Sequence, residues 1–322
     1  MLATFLVLLG AVFLQSMPLR IAFAARLDGN WDILVTDLSG RPPIRLTRHA
    51  GGERFPVWSP DGSRIAYGAE REGRWELYVM SADGGQPRLL TRDFVPKGPR
   101  SWSPDGTRIL FESLRDGNAE IYVIEVASGR VTRLTRNSAE ERSPQWSPDG
   151  SRIAFTSSRD GNREIYLMAA DGSGQTRLTT SPEEDDSPSW SPDGTRIAFA
   201  SSRDGHGEIY LMGADGSRQR RLTADSAEAD LPRWSPDGTR LLLQTVRGGN
   251  YDIAVINADG SGYRRLTSAP GYDGSARWSP DGKRIAFLSG DQRQDFLYIM
   301  DLDGGRMTRL SDRPALDPRW AP

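Results

Sequence analysis

The side chains of this 322-residue chain whose types and spacing could do chemistry are carboxylates, gathered at intervals of one repeat. Glu140 and Glu141 form one group, Glu183, Glu184, Asp185 and Asp186 a second, and Asp225, Glu228 and Asp230 a third. Clustered like charge of this kind can hold a basic segment of a partner or a cation. The competing reading is a solvated rim that only faces water. Acid–base catalysis needs two carboxyls placed about a cleft, and neighbours on one loop, such as Asp185 and Asp186, make a poor pair. The chain has two histidines, His49 and His206. His206 stands in Arg-Asp-Gly-His-Gly, where the preceding repeat has Asn162. It therefore reads as a replaced turn asparagine beside the acidic groups rather than as a base. Cysteine is absent, which removes thiolate metal sites, cysteine nucleophiles and disulfides. The 41 basic and 43 acidic residues nearly cancel, which argues against a nucleic-acid binder.

These groups sit on a repeat. Trp58, Trp102, Trp146, Trp190, Trp234 and Trp278 are 44 residues apart, and each opens Trp-Ser-Pro-Asp-Gly. An arginine follows six residues later, from Arg64 to Arg284, and one period back Arg20 opens Arg-Ile-Ala-Phe in the same register. Seven units of 44 residues account for 308 of the 322. Each unit reads as four short strands separated by turn signals. In the unit at Trp146 these are Pro144–Ser147, Arg152–Ser157, Glu164–Met168 and Thr176–Thr179, with Pro-Asp-Gly, Asp-Gly-Asn and Asp-Gly between them. Four strands per 40–45 residues is the period of a β-propeller blade. The fold expected is all-β: a seven-bladed propeller with four antiparallel strands per blade. The first unit has Leu14–Pro18 in the Trp-Ser-Pro-Asp-Gly slot, while Trp320 ends the chain near the place of a seventh tryptophan. The ring is therefore expected to close by the C-terminal strand joining the N-terminal blade, which removes exposed sheet edges.

Residues identical in every blade are expected to serve the blade. The tryptophans should fill the wedges between sheets. The Pro-Asp-Gly aspartates should cap their own turns, and the arginines should pair with a carboxylate or stack on tryptophan. Function is then sought where the repeats differ, in the loops that carry the acidic groups and that join one blade to the next. The turns at Arg71, Arg115, Arg159, Arg203 and Arg247, mostly Arg-Asp-Gly, emerge on the same face and are expected to mix positive charge into it.

The string Trp-Ser-Pro-Asp-Gly-x-Arg-Ile-Ala-Phe, then Ser-Arg-Asp-Gly-Asn-x-Glu-Ile-Tyr-x-Met, then Asp-Gly and Arg-Leu-Thr, resembles the WD-repeat-like propeller repeat of the TolB family. The best copy is 146–179, and the resemblance covers residues 19–322. It implies a propeller that binds protein partners and is commonly periplasmic or secreted. Two departures stand out: TolB has an α/β domain before a six-bladed propeller, whereas this chain has seven repeats beginning near Arg20. The blade is also similar to those of prolyl-oligopeptidase-type peptidases and some polysaccharide lyases, but the chain has no Gly-x-Ser-x-Gly elbow.

Residues 1–18 form an apolar leader, with Met1–Leu14 free of charge and too short to span a bilayer. It reads as a signal h-region or a short anchor, which sets a periplasmic or secreted location against a cytoplasmic alternative. The function expected is a non-enzymatic, monomeric scaffold that binds a protein or peptide through the loops of one face, by Glu140, Glu141, Glu183, Glu184, Asp185, Asp186, Asp225, Glu228, Asp230 and His206. No cofactor is expected, with calcium in the central channel as the variant. No nucleic acid is expected, and membrane contact only through an uncleaved leader. The alternatives are a carbohydrate-active or hydrolytic propeller working at the channel mouth, and a structural, metal-stabilised ring.

Overall fold

The computed structural model describes residues 19–92, 99–224, 227–291, 294–303 and 305–322, without the side chains of Pro99 and Arg100. The leader, Asp93 and Asp225 lie outside them. Among the described residues every regular element is a β-strand, and these strands form seven four-stranded antiparallel blades. Blade 1 is made from both ends of the chain. Its inner strand is Ala315–Trp320, which pairs with Arg20–Leu27, followed by Asn30–Asp37 and Ile44–Arg45. The inner strands of blades 2 to 7 are Glu53–Trp58, Pro99–Trp102, Glu141–Trp146, Asp185–Trp190, Glu228–Trp234 and Tyr272–Trp278. Closure by exchange between the termini is thus as the repeat arithmetic predicts.

Why these segments form blades follows from what each strand must bury. The second strand of a blade lies inside the sheet and touches sheets on both sides, so it reads as an unbroken apolar run. In Arg152–Ser157 the five residues after the arginine are all buried. The cores lie between blades rather than within them. Ala154 and Ile165 of blade 4 pack with Trp190, Ile197, Phe199 and Tyr210 of blade 5. The seam between the termini is built alike: Ala286, Leu288 and Leu297 of blade 7 pack on Ile21, Phe23, Ala315 and Trp320 of blade 1.

The repeated tryptophan joins each blade to the one before it. All seven are buried, with 5–9% of their surface exposed. Five indole N–H groups donate to the carbonyl one residue before the preceding blade's tryptophan: Trp58 to Arg319 at 3.2 Å, Trp102 to Val57 and Trp234 to Ser189 at 3.0 Å, Trp278 to Arg233 at 3.0 Å, and Trp320 to Arg277 at 3.1 Å. The preceding blade's repeated arginine covers the ring's face. Arg20 lies 4.8 Å from Trp58, Arg64 4.8 Å from Trp102, Arg108 4.7 Å from Trp146, Arg152 5.0 Å from Trp190, and Arg196 4.7 Å from Trp234. Arg64 also donates to the carbonyl of Gly106, in the next Pro-Asp-Gly turn, at 2.9 Å. The aspartate of that turn closes locally: Asp149 accepts from Ser147 at 2.5 Å and from the Ser151 amide at 3.0 Å. These bonds stabilise the ionised form and lower the carboxyls of Asp61, Asp149, Asp193 and Asp237 to about 2.

The inner strands are longer than the alternation of residues suggests. Each is kinked by a bulge three residues before the tryptophan, where the pairing skips a residue, as between Arg142 and Gln145. The bulged residue has a left-handed backbone in six blades: Phe55, Ser143, Ser187, Leu231, Ser275 and Asp317, at φ of 53–60°. A proline follows it in blades 1, 2, 4, 5 and 6. Bulge and proline together break the period-two pattern. For that reason Glu141, Asp185, Asp186, Glu228 and Asp230, expected in loops, belong to strands.

Two outcomes are expected. Trp320→Ala should cost about 3–5 kcal/mol, and removing residues 315–322 should expose the edge of Arg20–Leu27 and give aggregates rather than a monomer on gel filtration. A truncated chain that stays monomeric and melts like the full chain would rule out closure through this strand. Secondly, the depressed turn aspartates contribute stability above the unfolded carboxyl range near 3.9, and that contribution is lost as pH falls from about 4 to about 2. Replacing Asp61, Asp149, Asp193 and Asp237 by asparagine should flatten the loss of thermal stability across that interval; an unchanged slope would refute the assignment.

Candidate functional site

The two loop sets expected on one face do meet there. In four hairpins a turn asparagine (Asn30, Asn118, Asn162 and Asn250) reaches the loop leading to the next blade. Asn162 donates to the carbonyls of Ser181 at 3.1 Å and Glu183 at 2.8 Å, and Asn30 donates to the carbonyl of Gly51 at 3.0 Å. In blade 5 this place is taken by His206, whose Nε2 lies 2.8 Å from Oε1 of the buried Glu208. The histidine is half-buried and tied to the blade's own network, as a replaced asparagine would be.

That network narrows the expectation of a mixed-charge face. Three of these turn arginines, Arg71, Arg159 and Arg203, face inward, whereas Arg115 and Arg247 stay exposed. Arg71 pairs with Glu53 at 2.7 Å, Arg159 with Glu141 at 3.0 Å, and Arg203 with Asp185 at 2.7 Å. Each lies over a tyrosine ring: Arg159 is 4.6 Å from Tyr166 and Arg203 4.5 Å from Tyr210. Glu141 and Asp185 are fully buried. Two of the ten residues expected to meet a partner are therefore internal. Desolvation raises the Asp185 carboxyl, although Ser201 and Arg203 oppose the shift. A second layer lies one strand further out. Glu120 and Glu164 are buried and take Arg133 at 2.9 Å and Arg177 at 2.6 Å; Glu208 takes Arg221. The tyrosine hydroxyls of this layer donate to Asp116, Asp160 and Asp204. Burial and these carboxylates push Tyr166 and Tyr210 up to about 12. Blade 7 has Phe296 where the others have an acid, and its arginine, Arg309, lies 3.7 Å from the phenyl ring instead.

What remains at the surface is concentrated between blades 5 and 6. Glu184, Asp186, His206, Glu228 and Asp230 line one cleft of about 460 Å³, with Arg163, Ser202, Gln244 and Tyr251 among its other walls. Arg163 lies 3.3 Å from both Glu184 and Asp186, so four carboxylates face one lining arginine. Asp186 is held by Thr156 at 2.8 Å and accepts the Ser187 amide at 2.6 Å; Asp230 accepts the Leu231 amide at 2.6 Å. Each caps a bulge. Burial raises the Asp230 carboxyl, and neighbouring Asp186 adds to the rise. Glu140 pairs with Arg142 at 2.8 Å, a blade away. Glu183 is exposed and does not line the cleft. Sequence reasoning brought five of the ten residues to the cleft but missed Gln244 and Tyr251, which lie on the neighbouring blade's hairpin.

A second cavity of about 450 Å³ lies in the central channel. Its walls include Ser101, Gln145, Arg233, Arg277 and Arg319, each the residue before a repeated tryptophan. This position also escaped the sequence reading, although it differs from blade to blade while its neighbours repeat. Among the described residues, no group of three or more His, Asp or Glu side chains is arranged to hold a metal, and none of their helices is long and apolar enough to cross a membrane.

Fold and site together define a seven-bladed β-propeller with an acidic cleft at one channel mouth. The chain belongs to the TolB beta propeller domain family, whose model matches residues 99–231 and 225–322. The model of the Tricorn protease N-terminal beta propeller domain matches residues 20–120. No curated relative matches the chain. Among solved structures it is similar to TolB from Acinetobacter baumannii, at 24% identity and a TM-score of 0.61, covering 94% of this chain and 66% of that one. It is similar to an oligogalacturonate lyase in complex with manganese, at 17% identity and a TM-score of 0.70, covering 92% and 85%. A puromycin-hydrolyzing peptidase from Mycobacterium tuberculosis shares 18% identity at a TM-score of 0.70, covering 92% and 54%. At these identities the likenesses concern the fold.

If His206 is a replaced turn asparagine, His206→Asn should leave the melting temperature within about 2 °C, under 1 kcal/mol for a chain of this size. A fall of several degrees would show that the imidazole holds the loop in a way asparagine cannot.

Proposed function

We propose that this chain is a non-enzymatic binding scaffold that takes a basic segment of a protein or peptide partner on the face carrying the cleft between blades 5 and 6. The observation that carries the reading is that Glu184, Asp186, Glu228 and Asp230 converge on one cavity opposed by Arg163. A rigid ring holds them in place, so little ordering is needed on binding. Loops and strand ends on such a scaffold are where binding resides. Membership of a TolB-like propeller family supports a protein partner and a place outside the cytoplasm, with the apolar leader as the export signal. The reading uses no cofactor, no nucleic acid and one copy of the chain.

A second reading rests on one further observation. The carboxyl of Asp230 is raised in a cleft beside Asp186, and a perturbed carboxyl in a cleft is the starting point for acid–base chemistry. On this reading the cleft would act on a saccharide or peptide.

The test uses residues 19–322 and the same protein with Glu184→Gln, Asp186→Asn, Glu228→Gln and Asp230→Asn, which keep the bulge-capping acceptors. Both are measured against an array of lysine- and arginine-rich peptides and an envelope extract. Binding that falls at least about tenfold in the variant and weakens with salt is expected. Equal binding by both proteins would remove the cleft from the proposal. Turnover of an oligosaccharide or peptide panel that is lost in the variant would replace it with the second reading.

A further inference from the structure

The residue before the repeated tryptophan is arginine in three consecutive blades. These are Arg233 of blade 6, Arg277 of blade 7 and Arg319 of blade 1. All three line the channel cavity of about 450 Å³. Their inner strands are neighbours in the ring, as shown by the indole bonds from Trp278 to the Arg233 carbonyl and from Trp320 to the Arg277 carbonyl. The three guanidiniums therefore occupy one level of the channel, side by side. Across the cavity the same level carries Ser101 and Gln145, neutral groups that donate hydrogen bonds.

Like charges gathered inside a protein repel one another and are poorly screened. Arg277 registers this: its position inside the ring and the flanking Arg319 and Arg233 lower its affinity for its proton. Asp317 is the carboxylate that acts on both Arg277 and Arg319, and Asp230 acts on Arg233. Both acids stand higher on their strands, at or beside the bulge, and each also caps or senses other groups there. The arginines are oriented by backbone carbonyls: Arg277 donates to Ala276 at 2.8 Å and Arg319 to Pro318 at 3.1 Å. Carbonyl-braced guanidinium forks match carboxylate and phosphate oxygens.

We propose that the lower channel is an anion site for a small ligand carrying two or more carboxylate or phosphate groups, held by Arg233, Arg277 and Arg319 against Ser101 and Gln145. The cavity suits a small molecule, and it reaches Pro104 and Pro148 at the lower mouth. The acidic upper mouth repels such a ligand, so entry is from the side opposite the proposed partner cleft. The two sites are separate cavities, linked by the charge of Asp230 acting on Arg233.

Calorimetric titration of residues 19–322 with pyrophosphate, with citrate and with acetate tests this. Saturable binding of pyrophosphate or citrate, much tighter than acetate, is expected. Pyrophosphate alone points to a phosphorylated ligand, citrate alone to a polycarboxylate, and both to general oligoanion chemistry. Arg277→Gln and Arg319→Gln should each weaken binding by on the order of tenfold, and Arg277→Lys should restore part of the loss. Should those variants fold poorly, Ser101→Glu supplies a carboxylate from the opposite wall and should abolish binding while leaving the arginines in place. The variant neutralised in the acidic cleft should bind pyrophosphate and citrate at least as well as the parent. Absence of saturable binding by both probes overturns the proposal, as does binding indifferent to Arg277→Gln and Ser101→Glu. Binding of an oligoglutamate peptide without either small anion overturns it in favour of an acidic protein segment.

Discussion

Everything in this molecule depends on one contact repeated around the ring: an indole wedged against the preceding blade, in five blades with its N–H on that blade's inner-strand carbonyl and in six with its face under that blade's arginine. A four-stranded sheet this short has two apolar faces and no stable way to hide them alone. Each tryptophan hides one face of its own blade and one of its neighbour's. At about 150–250 Å² of buried surface and about 25 cal/mol per Å², each is worth on the order of 4–6 kcal/mol before ordering costs. The contact also sets the angle between sheets. Because every blade needs a neighbour on both sides, the array is satisfied only as a closed ring, and the strand Ala315–Trp320 completes it by pairing with Arg20–Leu27.

The second constraint is electrostatic. A chain with nearly equal numbers of acids and bases could scatter them over its surface. Here six of the repeated acids are drawn into buried layers: Glu53, Glu141 and Asp185 with their arginines, then Glu120, Glu164 and Glu208 with theirs. Buried pairs of this kind are weak sources of net stability but strict about geometry. They hold the hairpins and the loops between blades in register, and Phe296 under Arg309 shows that an aromatic face can stand in for the acid. Around the channel the remaining charge is polarised. Carboxylates gather at the upper mouth between blades 5 and 6, and guanidiniums gather in the lower channel.

The bulge connects the two constraints. A left-handed residue on each of six inner strands lets a strand run from the rim to the tryptophan while turning its side chains toward the lumen. Asp186 and Asp230 cap this kink with their own carboxylates. The residues that steady the channel wall are thus the same ones that give its mouth a charge. Site and scaffold are not separable there.

The amino-acid order alone determined the fold, because a blade is a local unit and 44-residue spacing records it directly. Blade count, strand order, closure by Trp320, and the packing roles of Trp, Arg20 to Arg240 and the Pro-Asp-Gly aspartates were all legible, since each follows from contacts within one repeat or with the next. The clustering of acidic groups on one face was legible for the same reason. Only the tertiary structure decided which of those acids are buried. Glu141 and Asp186 both precede a bulge and a proline, yet the first is sealed beneath Arg159 and the second lines an open cleft. The difference is one residue of register, set by a left-handed kink that leaves no mark in composition or periodicity. The convergence of Arg233, Arg277 and Arg319 likewise joins residues 44 and 42 positions apart. Those distances close up only when seven sheets bend into a ring and every inner strand comes to face the same channel.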